Sequence, residues 1–394
     1  SDLAARMRGI EKEGLRVSSS GHLAADSHPQ QLGHPLTHPQ VTTDFAEAQL
    51  ELVTPQFDSI NACLGSLDNL HAWVTPNLGS QYLWPASMPC DLTDTQINLA
   101  QYGNSNLAQL KQIYRHGLAH RYGRKTQLIS GVHYNISFQE QFWRSYQQHL
   151  LSLQILDRAS SAQSLKDFRT SSYLHLVRNF YRYSPLLVYL FGASPTHGIG
   201  FRDSVAVRGQ YNPDSIDYHY ATCLRLSKIG YINNYNSWTN ANSLDGYLEH
   251  LGNLTSSECF EYAAIGLHNH DGSYKQLNCN ILQMENEDYS IIRPKRAGRW
   301  DIRPIARLQQ EGIEYLEVRA LDINPFVPLG IDATQAQFIE CLMVYCLLAD
   351  SPPISASEQQ QLLLERRFLN VIGGCCRGIE FNTDNNVNAI EDGE

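Results

Sequence analysis

The sequence predicts an α+β fold built on a mostly antiparallel sheet, and three observations carry that expectation. Short runs whose side chains alternate with period two, as strands require, recur from Met7 to Ala320. Longer runs carry apolar residues three and four apart, the mark of a helix with one buried face. No internal repeat and no clear linker divides the body, so residues 1–381 are expected to form a single domain.

Taken in order, Met7–Val17 places Gly9, Glu11, Glu13 and Leu15 on one side of a strand. Thr42–Val53 reads as a helix, or a tight turn leading into one, ended by Pro55. Ile60–Trp73 and Asn106–Arg121 have helical apolar spacing, and Leu128–Phe138 is a β-rich run. Gln141–Asp157 and Ser171–Tyr189 read as helices, whereas Gly192–Asp217 is polar and loop-like. Gln276–Met284 and Ile313–Ala320 alternate as strands, and Thr334–Leu348 is a helix with an apolar face. A Ser-Pro-Pro-Ile break precedes a helix rich in Gln, Leu and Arg. The Asn- and Asp-rich tail at 382–394 is expected to be disordered.

Bulk properties narrow the function classes. With 42% hydrophobic and 18% charged residues in 394, the chain can bury a large core. A net charge of −10 disfavours nucleic acid and anionic lipid as partners. No apolar run approaches the roughly 18 residues of a membrane helix, and no signal-peptide pattern opens the chain. Nine cysteines show no CxxC pair and no zinc spacing, which fits a reduced, cytoplasmic protein, and the neighbouring Cys375 and Cys376 read as ordinary thiols.

Four segments carry candidate chemistry. Glu11 and Glu13, two apart on a strand, project together and repel unless a cation lies between them or one takes a proton; a solvated strand face has the same pattern. Asp44, Glu47 and Glu51 would share a helix face without a basic partner, or Asp44 would cap that helix. Tyr315, Glu317 and Arg319 share a strand face, where Glu317 and Arg319 form either a simple ion pair or a metal ligand beside a phosphate-binding arginine. His133 and Asn135 share another, although a lone strand histidine is commonly structural. Together they describe a carboxylate-rich cluster with one histidine, suited to Mg²⁺ or Mn²⁺ and to nucleotide phosphates. No P-loop, Rossmann glycine motif or G-x-S-x-G is present.

These residues sit in motifs that follow one another in order: G-I-E-K-E-G-L-R, T-T-D-F-A-E-A-Q-L-E-L-V-T-P, Y-R-H-G-L-A-H-R-Y-G, I-S-G-V-H-Y-N, L-R-L-S-K-I-G-Y, Q-M-E-N-E-D-Y and I-E-Y-L-E-V-R-A-L-D-I-N-P-F among them. From about Arg8 to Asp350 the chain resembles the proteobacterial type of glutamate–cysteine ligase. The resemblance implies a glutamine synthetase-like fold, a curved, mainly antiparallel sheet forming a funnel surrounded by helices. It implies a cytoplasmic, monomeric enzyme using L-glutamate, L-cysteine and ATP with Mg²⁺ or Mn²⁺, through a γ-glutamyl phosphate. Binding of glutathione as a feedback ligand is a further implication. Related readings are an amide ligase with another small amine acceptor and a non-catalytic ligand-binding relative.

By the same resemblance, Glu11, His133 and Glu317 would share one ion, and Glu13, Asp44 and Glu51 another. Glu317 and Arg319 would serve catalysis, with Arg319 against the transferred phosphate, and Arg115 and Arg225 would bind phosphate or the glutamate carboxylate. Phe45, Tyr114, Leu118, Gln127, Tyr231 and Tyr289 would form the cysteine pocket. The basic run Arg293–Arg296 lies either near the nucleotide or in solvent. After Asp350 the motifs cease: Leu362–Leu364 stand where the family carries a further arginine, for which Arg366 or Arg367 could substitute.

Overall fold

The structure, a computed structural model, describes residues 3, 5–90, 92, 97–155, 164–201, 210–211, 215–217, 221–227, 230, 240–298 and 301–363. The long strand β1 (Arg6–Val17) is followed by β2 (Val41–Thr43), β3 (Gln49–Val53), α1 (Ile60–Val74), β4 (Tyr82–Leu83) and α2 (Asn106–Tyr122). Then come β5 (Val132–Phe138), α3 (Glu140–Ser152), α4 (Leu165–Phe191) and three short strands, β6 (Thr196–Gly198), β7 (Gln210–Tyr211) and β8 (Ser215–Asp217). The remainder comprises α5 (Leu244–Ser256), α6 (Phe260–Ile265), β9 (Ile292–Lys295), α7 (Pro304–Glu311), β10 (Tyr315–Leu321) and α8 (Ala333–Leu348).

Seven strands form the main sheet in the order β2-β3-β1-β5-β10-β9, with β4 also on β1, and every pair of named strands is antiparallel. The register explains how the sheet divides its chemistry. Ile10 faces Tyr134, Tyr134 faces Val318, and Val318 faces Ile292. These residues, with Leu50, Leu52, Val132, Ile136 and Leu316, point into one apolar core with α1, α4 and α8. Each fully buried aliphatic side chain there contributes about 1.5–3 kcal/mol. The alternate positions, Glu11, Glu13, Glu51, His133, Asn135, Arg293 and Glu317, fall on the opposite face.

Local chemistry sets the helix ends. Ser59, Ser105, Ser164, Ser243 and Asp332 each accept a hydrogen bond from a first-turn backbone N–H. Gly123 and Gly312, at φ 83° and 70°, end α2 and α7 in a backbone region that side chains disfavour.

The sequence reading needs three corrections. Thr42–Val53 is a hairpin of β2 and β3, closed by Asp44 N–H to Gln49 O at 3.0 Å and Gln49 N–H to Ala46 O at 2.9 Å. The β-branched run Val41-Thr42-Thr43 favours extended backbone, and the acidic spacing that mimics a helix is fortuitous. Gln276–Met284 contains no strand, because its backbone and side chains bond across a loop: Leu277 N–H donates to Gln283 Oε1 at 3.0 Å and Asn278 Nδ2 to Gln283 O at 3.0 Å. Gly192–Asp217 includes β6, β7 and β8, which form a small three-stranded sheet. The short helices α5, α6 and α7 are additional to the expected elements. Tyr231, Leu364, Arg366, Arg367, the Cys375–Cys376 pair and the tail at 382–394 lie outside the described residues.

Candidate active site

The charged face of the sheet gathers its acids by register. Glu11 is paired across the ladder with His133, Glu13 with Glu51, and Glu317 with both Asn135 and Arg293. His133 Nδ1 lies 3.3 Å from Glu11 Oε2 and 3.9 Å from Glu317 Oε1, and His133 Nε2 lies 3.8 Å from Glu13 Oε1. Asn135 Nδ2 donates to the other Glu11 oxygen at 2.9 Å. One ligand atom each from Glu11, His133 and Glu317 falls within a common 4.8 Å. Among the described residues Glu13, Asp44 and Glu51 do not gather as tightly, although Glu13 and Glu51 are direct neighbours across the ladder.

The two sides of this cluster differ in charge. At Glu317, burial favours the neutral acid, but Lys295 at 3.5 Å, Arg319 at 3.3 Å and Arg293 at 3.8 Å hold it well below the usual carboxylate range. Arg319 is correspondingly raised: the charges of Glu317, Glu13 and Glu11 overcome its desolvation. At Glu51, burial and the charges of Glu11, Asp44 and Glu13 push the carboxyl well above its ordinary value. Glu13 is also raised, by burial first and Asp44 among the charges, while one of its oxygens accepts Gly131 N–H at 2.8 Å. Acids in this state accept a cation readily.

A divalent cation fits this donor set. The ligands are hard oxygens with one imidazole, burial and the neighbouring acids outweigh the nearby cations at Glu51 and Glu13, and the buried His133 Nε2 makes no hydrogen bond.

Around the cluster the expected residues are placed as follows. Arg225 donates from Nη1 to Arg319 O at 2.8 Å, and its guanidinium lies over the Cα of Gly131, where a side chain would collide. Arg115 donates from Nε to the backbone oxygen of Asp44 and from Nη1 to Lys111 O at 2.9 Å, and it stacks on Tyr102. It thereby fastens the Asp44 turn. Phe45, Leu118 and Tyr114 share one apolar cluster, and Tyr289 donates to Gln127 Oε1 at 3.2 Å. The Arg293–Arg296 run is split: Arg293 and Lys295 face Glu317, whereas Arg296 pairs with Glu311 at 2.7 Å and Glu314 at 3.5 Å. The alternation of a strand is the signal that separates 293 and 295 from 296. Glu47 turns away from the cluster; its carboxylate accepts the backbone N–H groups of His28 and, at 2.6 Å, Gln101. Leu362 and Leu363 pack against the core.

Among the described residues no helix is long and apolar enough to cross a membrane.

The family model described as glutamate-cysteine ligase matches residues 1–367, beyond the point at Asp350 where the quoted motifs stop. A glutamate–cysteine ligase of Hahella chejuensis is 45% identical over 375 residues, which cover 94% of this chain and 69% of that protein. One from Pseudomonas aeruginosa PAO1 is 44% identical over 355 residues, covering 88% and 64%. The chain thus spans about two thirds of the length of these curated relatives. Among solved structures, a glutamate–cysteine ligase from Francisella tularensis in complex with AMP superposes with TM-score 0.86 at 34% identity, over 94% of this chain and 72% of that one. A bifunctional glutathione synthetase from Pasteurella multocida gives TM-score 0.73 at 27% identity, over 94% and 42%. Matched along nearly its whole length in sequence and in fold, the chain belongs to the glutamate–cysteine ligase family.

Proposed function

We propose that this chain joins the γ-carboxylate of L-glutamate to the amine of L-cysteine at the expense of ATP, the first step of glutathione synthesis. The observation that carries the proposal is the sheet face on which Glu11, Glu13, Glu51, His133 and Glu317 converge beside Arg319, Arg293, Lys295 and Arg225. A site with acids on one side and buried or half-buried cations on the other suits a reaction whose substrates are anions and whose product is phosphate.

In this reading a γ-carboxylate oxygen of glutamate attacks the terminal phosphorus of ATP, and the bond to ADP breaks. The cysteine amine then attacks the resulting acyl phosphate. The tetrahedral intermediate collapses with loss of phosphate, and the nitrogen gives up a proton. Glu11, His133 and Glu317, with Glu13, Asp44 and Glu51, would hold Mg²⁺ or Mn²⁺. Bound there, such ions neutralise phosphate charge and stabilise the transferring phosphoryl group. Arg319, held in place by Glu317, would meet the transferred phosphate, and Arg225 would bind phosphate or carboxylate beside it. Phe45, Leu118, Tyr114, Gln127 and Tyr289 would orient cysteine, with Tyr231 joining them by family likeness. AMP in the Francisella tularensis relative supports a nucleotide site. Curvature of the sheet into a funnel, a single domain over 1–381, the cytoplasmic location, the monomeric state and feedback by glutathione belong to this proposal and rest on family likeness.

The test is ADP release with Mg²⁺, ATP and glutamate, with cysteine and with a panel of small amino acids. Strong stimulation by cysteine, with γ-glutamylcysteine detected by mass spectrometry, is expected. Preference for another amine would reassign the acceptor. Nucleotide binding without turnover under every condition would overturn the enzymatic reading.

A further inference from the structure

We propose that a buried ion pair, Arg121–Glu287, is the positioning device of the acceptor pocket. It clamps the loop 276–289 onto α2 and so sets the place of Tyr289. The inference rests on the functional reading above and deepens it, since none of these clamp residues belongs to the expected pocket.

Arg121 lies in the last turn of α2 and Glu287 near the end of the loop, and both side chains are 0% exposed. Arg121 Nη1 reaches Glu287 Oε1 at 3.1 Å. Its remaining donors also go to the loop: Nε to Gln276 Oε1 at 2.9 Å and Nη2 to Asn278 O at 2.7 Å. The guanidinium covers the ring of Tyr262, 4.2 Å from its centre. Glu287 is equally committed. Oε1 also accepts the Tyr122 hydroxyl at 2.8 Å, and Oε2 accepts Gln283 N–H at 2.7 Å. A buried carboxylate with so many donors is fixed in place.

A second attachment lies one turn earlier on α2. Gly117 leaves a notch that the Gln283 amide fills, and any side chain at 117 would collide with that amide. From the notch, Gln283 Nε2 donates to Tyr114 O at 3.2 Å. Two points on one helix therefore grip the loop. The consequence reaches the pocket through Tyr122, whose ring meets Tyr289 edge to face at 5.8 Å. Tyr289 in turn donates to Gln127. Tyr114, at one grip, and Tyr289, beside the other, are both expected to touch cysteine.

A buried ion pair is weak evidence for stability, because apolar residues of similar volume often replace one without loss. Holding a geometry is a role it fills better. This separates the proposal from a purely structural one. The double variant Arg121→Met/Glu287→Met removes both charges and should keep the fold. Tyr122→Phe removes one hydroxyl donor and keeps the ring. The experiment measures KM for cysteine, glutamate and ATP, kcat, and backbone hydrogen exchange of 276–289 in the wild type and both variants. Expected is a rise in cysteine KM of about tenfold in the double variant and several-fold in Tyr122→Phe, with the KM for ATP within twofold and faster exchange of the loop. A folded double variant with unchanged cysteine KM, or equal rises in all three KM values, overturns the proposal. A wild type without cysteine-dependent turnover, whose loop exchange still accelerates in the variants, overturns the functional reading and leaves the clamp. Unchanged exchange overturns the clamp itself.

Discussion

Gly131→Ala offers a sharp test of the site, because the structure separates its effect on folding from its effect on function. Gly131 does not use the left-handed backbone region, so alanine suits its conformation. The obstacle is lateral: an added Cβ would lie closer than 3.0 Å to the guanidinium of Arg225, a distance real Cβ atoms essentially never show. That guanidinium is the far end of a flexible side chain and, although buried, can swing away more easily than the backbone can shift. It cannot do so and keep its 2.8 Å bond to Arg319 O. If Arg225 binds phosphate or carboxylate, its displacement removes a hydrogen bond to a charged group, worth about 1.5–3 kcal/mol. This corresponds to a loss in kcat/KM for glutamate or ATP of roughly 10- to 150-fold. The assay is steady-state ADP release beside a thermal melt. A folded variant with kcat/KM within twofold of wild type would refute the assignment of Arg225. A collapsed melt would show instead that Gly131 is needed for the fold.

Three further outcomes are expected. Mn²⁺ is expected to raise the melting temperature of the wild type, and Glu317→Gln should abolish that rise, because it removes the ionised carboxylate facing His133; retained protection would remove Glu317 from the ligand set. Glu340→Ala should destabilise by about 3–5 kcal/mol in urea titrations, since it strands Arg8 and Arg6, which it pairs at 2.7 and 3.0 Å on the apolar side of the sheet; a loss under about 1 kcal/mol would contradict that. His28 is buried and pushed down to about 4, chiefly by desolvation and then by Arg16. Its folded form is therefore neutral, and the stability it confers is full above its ordinary value near 6.5 and is lost as pH falls toward 4. His28→Gln should remove up to about 3 kcal/mol of that acid-dependent loss, read as a flatter urea midpoint between pH 6.5 and 4; an unchanged slope would refute it.

Much of this molecule is legible in its sequence, and the reason is periodicity. Alternation in Met7–Val17 and Ile313–Ala320 sets which side chains share a face, so Glu11 with Glu13, and Glu317 with Arg319, follow from the chain alone. Helical spacing locates α1, α2, α4 and α8, and the motifs, read in order, point to the family. What sequence could not determine is partnership across strands. A one-residue slip of β5 against β1 would send His133 to the apolar side, and only long-range pairing selects the register that sets it beside Glu11. The same limit misplaces Thr42–Val53: acids at 44, 47 and 51 fit a helix face locally, but the hydrogen bonds of β3 to β1 make Glu51 a strand residue opposite Glu13. It also leaves open whether the Arg293–Arg296 run meets Glu317 or solvent, and it hides the Arg121–Glu287 pair, whose members lie 166 residues apart. Periodicity is a local property, written residue by residue along the chain. The charges that meet at this site are brought together by burial of the opposite, apolar face, and that burial exists only once the whole sheet has formed.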